Sequence, residues 1–178
     1  MNKRGTYVVR ISGLGDGDHN FSFELDREFF ASFENTEIEE GDVKAKILLE
    51  RETGVMTLNF NLKGEVKVIC DRCLEPFFTG IKTSQKLFIK TGNDSENLDD
   101  DVIMISNNDH EIEVGHYLFE FIILALPYKR IHPDDVKGLP TCNPEMLKRL
   151  EAHRITEEHT DQTDPRWDAL KGILEKNN

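Results

Sequence analysis

Hydrophobic residues fall on every second position through the middle of the chain. Between residues 56 and 70 they alternate with polar residues, and the apolar positions are Met56, Leu58, Phe60, Leu62, Val66, Val68 and Cys70. Residues 43–49 and 77–89 repeat this alternation. A period of two is typical of a strand with one buried face. The pattern predicts three long antiparallel strands joined as a meander.

Shorter elements are predicted on both sides of this meander. Residues 7–11 and 102–106 are each typical of a short strand. Residues 25–33 predict a short helix, because Asp26 stands where an N-cap is needed.

Helical patterns dominate the part of the chain that follows the strands. Residues 114–126 are apolar nearly all round, which predicts a buried helix ended by Pro127. The proline- and glycine-containing stretch 130–144 should be irregular, and residues 144–154 again favour a helix.

The last stretch of the chain predicts a tether followed by a helix. Residues 156–164 hold no large apolar residue, whereas Asp164 and Pro165 are typical of an N-cap and a first helical position. Three apolar residues share one face of the predicted helix: Trp167, Leu170 and Leu174.

Together these elements predict an α+β fold. We expect an antiparallel β meander or a partly open barrel, with a buried helix and a C-terminal amphipathic helix. Residues 1–155 should form the domain, and residues 156–178 should form the acidic tether and the last helix.

Composition and charge narrow the functional classes. A chain of 178 residues can bury a core without disulfides, and three cysteines without a signal peptide predict a reducing, cytoplasmic setting. The longest apolar stretch, residues 117–126, is too short to span a bilayer, so no membrane partner is expected. The formal net charge of -12 argues against general attraction to nucleic acid, DNA included, or to an anionic membrane.

The charge is unevenly distributed along the chain. Residues 44–90 hold nine basic and five acidic residues, and the alternation places seven lysines opposite the apolar face. One interpretation is an RNA-binding surface, for which the candidate residues are Lys63, Lys67, Arg72, Lys82 and Lys86. The other is that these lysines only solvate the sheet, because the sequence shows no aromatic platform beside them.

The three cysteines leave three interpretations open. Cys70 and Cys73 have the C-x-x-C spacing of a zinc knuckle, and Cys142 with His132 could complete a Cys3His site. A redox pair usually opens a helix, whereas this pair lies between two β runs. The third interpretation is structural, with Cys70 packed as a small hydrophobe at a turn.

No catalytic constellation is evident, so we do not expect an enzyme. The glycines at positions 13, 15 and 17 are not followed by the Lys-Ser/Thr pair of a phosphate-binding loop. The six histidines are scattered and form no H-x-x-x-H pair.

Three motifs carry a resemblance to a known family. They are Cys70-x-Arg72-Cys73-Leu74-x-Pro76-Phe77, the pair Leu126-Pro127 and the tail Asp164-Pro165-Arg166-Trp167-x-x-Leu170. With them the chain resembles the YceD family of large ribosomal RNA subunit accumulation proteins, over about residues 29–174. The resemblance implies a non-enzymatic role in the accumulation of large-subunit ribosomal RNA, through contact with RNA or with a ribosomal protein.

The resemblance is incomplete at a second cysteine cluster. Many family members carry Lys-Gly-Leu-Cys-Pro-x-Cys-Gly, whereas the matching stretch here, residues 137–143, keeps the Lys-Gly-Leu start and Cys142 as its one cysteine. The simplest expectation is therefore a degraded knuckle that needs no cofactor, with zinc as the alternative.

Two functional hypotheses follow. In the first, the protein binds large-subunit ribosomal RNA, a precursor particle or a basic ribosomal protein. Its last helix, with Trp167, Leu170 and Leu174, then docks on a partner or packs on its own domain. In the second, the protein is a zinc-stabilised or acidic adaptor or chaperone that does not contact RNA.

Overall fold

The structure is a computed structural model of the chain, and it describes residues 7–34, 36–52, 55–92, 102–106 and 108–154. The chain divides into two compact units, residues 1–143 and residues 144–178. The described elements, in chain order, are β1 Val8–Arg10, β2 Gly17–Leu25, α1 Arg27–Phe30, β3 Gly41–Glu52, β4 Val55–Ile69, β5 Pro76–Thr91, β6 Val102–Ile105, β7 Glu111–Glu113, α2 Gly115–Leu124 and α3 Pro144–Ala152.

A five-stranded sheet in the order β2-β3-β4-β5-β6 forms the frame of the first unit. The pairs from β2 to β5 are antiparallel, whereas β6 runs parallel to β5. The predicted α+β fold and the three-stranded meander are thus confirmed. The sheet is open, with β2 and β6 at its edges, so it is not a closed barrel.

Strand β2 is not predicted by the sequence pattern. Its alternation is short, because only Phe21, Phe23 and Leu25 mark the inner face after the polar residues at its start. Strand β7, three residues long, is too short to show a period and pairs with β1 as a separate ribbon.

One face of the sheet is buried and forms most of the core. The alternating residues of β3 and β4 supply its centre, namely Val43, Ala45, Ile47, Leu49, Leu58, Phe60, Leu62, Val66 and Val68. Helix α2 contributes to the same core. The rings of Phe60 and Phe121 pack edge to face with their centroids 5.1 Å apart. The other face of the sheet is therefore left for solvent or a ligand.

Helix α1 begins where the sequence predicts, although it is shorter than expected. Asp26 caps it, because its Oδ1 atom accepts hydrogen bonds from the backbone N–H groups of Glu28 (2.9 Å) and Phe29 (3.2 Å). The helix ends at Phe30, and both of its phenylalanines are buried in the core.

Helix α2 confirms the predicted apolar helix, with one correction. Its buried residues lie along one side, including Leu118 and Ile122, whereas Leu124 is 74% exposed. The helix is therefore not buried all round.

The described part of the second unit is α3 and the two residues after it. None of the α3 residues is buried. The predicted tether, the last helix with Trp167, Leu170 and Leu174, and the 155/156 domain boundary fall on or beside residues outside the described ranges. They stay predictions. Among the described residues, no helix has both the length and the apolar character needed to cross a membrane.

Gly64 offers a test of how closely β3 and β4 approach. A Cβ atom at this position would lie 2.6 Å from Val43 Cα and would also collide with the Asp42 carbonyl oxygen. We expect Gly64→Ala to lower the free energy of unfolding by about 2 kcal/mol or more, because backbone atoms must move. Urea unfolding followed by far-UV circular dichroism would measure the change.

Gly80 provides the matched control in the neighbouring strand. Its added Cβ would meet nothing closer than the Gly64 carbonyl oxygen at 3.9 Å. Gly80→Ala should be neutral or stabilise by up to about 1 kcal/mol. Equal losses in the two variants would contradict the proposed close approach at Gly64.

Candidate nucleic-acid interface and metal centre

The turn between β4 and β5 carries the C-x-x-C motif. Its backbone is closed by two hydrogen bonds, from Cys70 N to the Glu75 carbonyl and from Leu74 N to the Cys70 carbonyl, each 3.0 Å. Leu74 adopts the left-handed region with φ of 61°, which is uncommon for a residue other than glycine. The Arg72 N–H also donates to Cys70 Sγ at 3.4 Å. The turn thus holds both thiols on its inner side.

A segment from the other end of the unit, residues 130–143, is fixed to this turn at both of its ends. At its start, Arg130 and Asp71 exchange two hydrogen bonds of 2.7 Å, and the Arg130 guanidinium also contacts the carboxylates of Asp71 and Glu37. At its end, Asn143 Nδ2 donates to Glu75 Oε1 at 2.7 Å. The segment therefore lies directly over the cysteines.

This arrangement brings together the four residues that were candidate metal ligands. Cys70 Sγ lies 3.8 Å from Cys142 Sγ, Cys73 Sγ lies 3.4 Å from His132 Nδ1, and Cys142 Sγ lies 3.8 Å from the same nitrogen. All four ligand atoms are within 4.8 Å of one another. The cysteines are buried and His132 is half-buried, so the cluster can hold a metal ion.

The local environment shifts the pKa values of two of the thiols in opposite directions. Burial opposes ionisation of Cys70, but hydrogen bonds from the backbone N–H groups of Cys73 and Arg72, and from His132, lower its pKa to about 6. Burial, together with the neighbouring thiols Cys70 and Cys73, raises the pKa of Cys142 to about 11. Of these two thiols, Cys70 therefore ionises at the lower pH.

The outer face of the sheet carries a group of lysines that we call the lysine band, consisting of Lys44, Lys46, Lys63, Lys82 and Lys86. In the strand register Lys63 is opposite both Lys44 of β3 and Lys82 of β5. Neighbouring strands are about 4.8 Å apart, so three ammonium-bearing side chains stand side by side across three strands. Within the described part of the chain, no ion pair joins any of these five lysines to a carboxylate.

Two of the predicted RNA-binding residues have a different environment. Lys67 Nζ forms an ion pair with Glu40 Oε2 at 3.0 Å, so its charge is already matched. Arg72 lies in the cysteine turn. The opposed pair Glu65 and Gly80 lies between this turn and the opposed pair Lys63 and Lys82. The structure therefore groups Lys63, Lys82 and Lys86 and leaves the other two outside the band.

Carboxylates bound the lysine band on three sides. Asp42 and Glu65 are opposite each other at one end, and Glu24 is opposite Lys44 at the β2 edge. At the other end Glu50 accepts a hydrogen bond from Asn59 at 2.7 Å. The positive surface is thus a compact area and not a stripe along the whole sheet.

Two aromatic side chains share the outer face with the lysines. Phe78 and Phe88 of β5 are 47% and 42% exposed, and Lys86 Nζ lies 6.0 Å from the centroid of the Phe88 ring. The sequence-based expectation that no aromatic residue accompanies the lysines is wrong. The signal was available, since burial of Ile81 and Leu87 turns the even-numbered residues of β5 outward.

Comparison with protein families gives one match. Residues 58–174 match the family described as large ribosomal RNA subunit accumulation protein YceD, and this range covers well over half of the chain. The chain belongs to the YceD family. Comparisons with curated proteins and with solved structures gave no significant match. The YceD description connects the chain with accumulation of large-subunit ribosomal RNA and names no enzymatic reaction.

The contact between Asp71 and Arg130 predicts a measurable coupling of the turn to the segment above it. Asp71→Ala removes the acceptor of the Arg130 N–H group and should lower the free energy of unfolding by about 1 kcal/mol, because the carboxylate is partly exposed. Asp71→Asn keeps an acceptor oxygen and should lose less. Denaturant unfolding of both variants would measure this difference.

Asp16, an exposed loop residue, serves as the control, and its replacement by Ala should change stability by less than about 0.5 kcal/mol. Similar small effects for Asp71→Ala and Asp16→Ala would show that the turn does not depend on Arg130.

Proposed function

We propose that this YceD-family protein supports the accumulation of large-subunit ribosomal RNA by binding RNA directly on the outer face of its sheet, without an enzymatic step. The observation that carries the proposal is the row of Lys44, Lys63 and Lys82 across three strands. Glu24 is opposite Lys44 in the register, but among the described residues no ion pair joins a carboxylate to any of the three lysines. Like charges directly opposite each other destabilise a sheet. An anionic ligand would remove that repulsion.

The size of the lysine band limits the strength of RNA binding. Five lysines can contact only a few phosphates, and the surrounding carboxylates repel a polyanion that extends beyond them. Binding should therefore be moderate in strength, with a dependence of log K on log salt of about -0.7 for each phosphate contacted.

The side chains of β5 favour single-stranded RNA. From Phe78 onward its outward residues are Phe78, Gly80, Lys82, Ser84, Lys86, Phe88 and Lys90, and no carboxylate is among them. They follow one another at about 6.8 Å, twice the rise of a strand. Exposed aromatic rings stack on unpaired bases, which a duplex does not offer. We propose that an unpaired stretch of ribosomal RNA lies along β5.

The acidic remainder of the protein supports a second candidate. Outside residues 44–90 the chain has a formal net charge of about -16, a composition that suits an acidic adaptor or chaperone for a basic ribosomal protein. In that case Trp167, Leu170 and Leu174 are the proposed docking residues. Tight, salt-sensitive binding to a ribosomal protein in the absence of RNA would favour this candidate. Both candidates place the protein in the cytoplasm with precursor ribosomal particles.

Neutralising the central row tests the RNA proposal. Changing Lys44, Lys63 and Lys82 together to Gln should weaken binding to a labelled single-stranded RNA of about 15 nucleotides by at least about tenfold at low salt. The slope of log K against log salt should fall in magnitude by about 2, since three phosphate contacts are lost. Fluorescence anisotropy over a range of salt concentrations measures both quantities.

A second triple variant has the same change in net charge. Lys129, Lys137 and Lys148 are exposed and belong to no strand of the sheet, so their replacement by Gln should leave binding nearly unchanged. Equal losses in the two triple variants would mean that only net charge matters and would contradict a defined RNA site.

Phe88 tests the contribution of base stacking. Phe88→Ala should reduce affinity for single-stranded RNA by about 5- to 150-fold, which corresponds to about 1–3 kcal/mol for one stacked base. Ile69→Ala provides the control, because Ile69 is also an exposed apolar residue on a strand, 49% accessible. The single-stranded mode would be excluded if Phe88→Ala bound single-stranded RNA with full affinity, or if the native protein bound duplex RNA equally well. The lysine contacts would still be judged by the triple variant.

A further inference from the structure

We propose that Cys70, Cys73, His132 and Cys142 bind one zinc ion in a structural Cys3His centre, with Nδ1 of His132 as the fourth ligand. The centre is independent of RNA binding, and it joins the β4–β5 turn to the segment 130–143. Four kinds of observation support it: the distances between the ligand atoms, their chemistry, the contacts that orient them and the packing of the segment.

The distances fit a tetrahedral zinc site. Zinc–sulfur bonds of about 2.3 Å and zinc–nitrogen bonds of about 2.0–2.1 Å place two sulfurs about 3.8 Å apart and a sulfur and a nitrogen about 3.6 Å apart. The Cys70–Cys142 sulfur separation is 3.8 Å, and the Cys73 and Cys142 sulfurs lie 3.4 and 3.8 Å from His132 Nδ1. These three separations match the edges of a tetrahedral zinc site, and all four ligand atoms lie within 4.8 Å of one another.

The chemistry of the donors favours zinc over the other interpretations of the cysteines. All three cysteines are free, and the 3.8 Å sulfur separation is far longer than a disulfide bond of about 2.05 Å. A redox pair would need two sulfurs, whereas three sulfurs and an imidazole converge here. A tetrahedral set of three thiolates and one imidazole nitrogen is typical of zinc.

Neighbouring groups hold the ligands in position. The Arg72 N–H points at Cys70 Sγ, and the Phe77 ring packs on the His132 imidazole with centroids 4.6 Å apart. The pairs Arg130–Asp71 and Asn143–Glu75 fix the two ends of the segment. Such outer contacts orient the ligands of known metal centres.

The segment itself lacks an apolar anchor. Across residues 127–143 the only buried residue is Cys142, and the exposed residues include Tyr128 at 97% and Val136 at 104%. Ordering such a segment costs conformational entropy, and burial of Cys142 and the contact of His132 with Phe77 offset little of it. A metal ion with four protein ligands and no open position supplies the stabilisation, which makes the role structural.

His132 explains why a second knuckle is not needed. The ten-residue separation between His132 and Cys142 is unlike knuckle spacing, but the irregular segment folds back, with a bridge between Asp134 and Pro140, and brings the two residues together. The expectation of a degraded, metal-independent knuckle is therefore replaced by a Cys3His centre in this proposal.

The experiment uses the full chain, purified under reducing conditions and reconstituted with zinc or with cobalt. We expect one zinc per chain by elemental analysis. The cobalt form should show the visible d–d absorption of a tetrahedral centre with three thiolates. His132→Ala should weaken zinc binding by at least about tenfold, whereas His110→Ala, at an exposed histidine, should leave it unchanged.

A second variant keeps the proposal testable if His132→Ala does not fold. His132→Cys should retain zinc and shift the cobalt spectrum towards that of a four-thiolate centre. Removal of zinc by a chelator should speed tryptic cleavage after Lys129, Arg130 or Lys137 by at least about tenfold, with little change at Lys148. No bound zinc after reconstitution would overturn the proposal. Zinc binding with an unshifted cobalt spectrum in His132→Cys would overturn the assignment of His132.

Discussion

The pairing register of β3, β4 and β5 is the constraint on which both faces of the sheet depend. Because successive side chains point to opposite faces, burying Leu62 and Val66 obliges Lys63 to point outward, beside Lys44 and Lys82. A slip of one residue would expose the core and bury the lysines, so the hydrophobic pattern fixes the register strongly. The lysine band is thus a direct consequence of how the core is built.

The long β4–β5 hairpin unites the two candidate sites. Its strands carry most of the lysine band, and its turn carries Cys70 and Cys73. The turn is also the place where the chain returns after α2, because Arg130 and Asn143 are both held there. The proposed RNA surface and the proposed zinc centre therefore lie on one hairpin, and the family description, large ribosomal RNA subunit accumulation protein, gives both proposals a shared context.

How much the sequence could predict depended on whether the decisive interaction was local. The strong alternation of β4 and the Asp26 cap are local signals, and the structure confirms both. Strand β2 was missed because three apolar residues make a weak period. The opposition of Lys44, Lys63 and Lys82 requires the register between strands, and the contact of Cys73 with His132 spans 59 residues of chain. The sequence named the four candidate ligands, Cys70, Cys73, His132 and Cys142, by residue type. Neither the lysine register nor the contact between Cys73 and His132 follows from spacing along the sequence.

The unpaired lysines have a thermodynamic consequence for the folded state. In the unfolded chain Lys44, Lys63 and Lys82 lie many residues apart, whereas folding places them in adjacent strands. Their mutual repulsion therefore acts only on the native state and opposes folding. Any polyanion that occupies the outer face removes this repulsion and shifts the folding equilibrium towards the native state, to an extent set by its concentration relative to its dissociation constant. Ligand recognition and conformational stability are in this sense a single linked equilibrium.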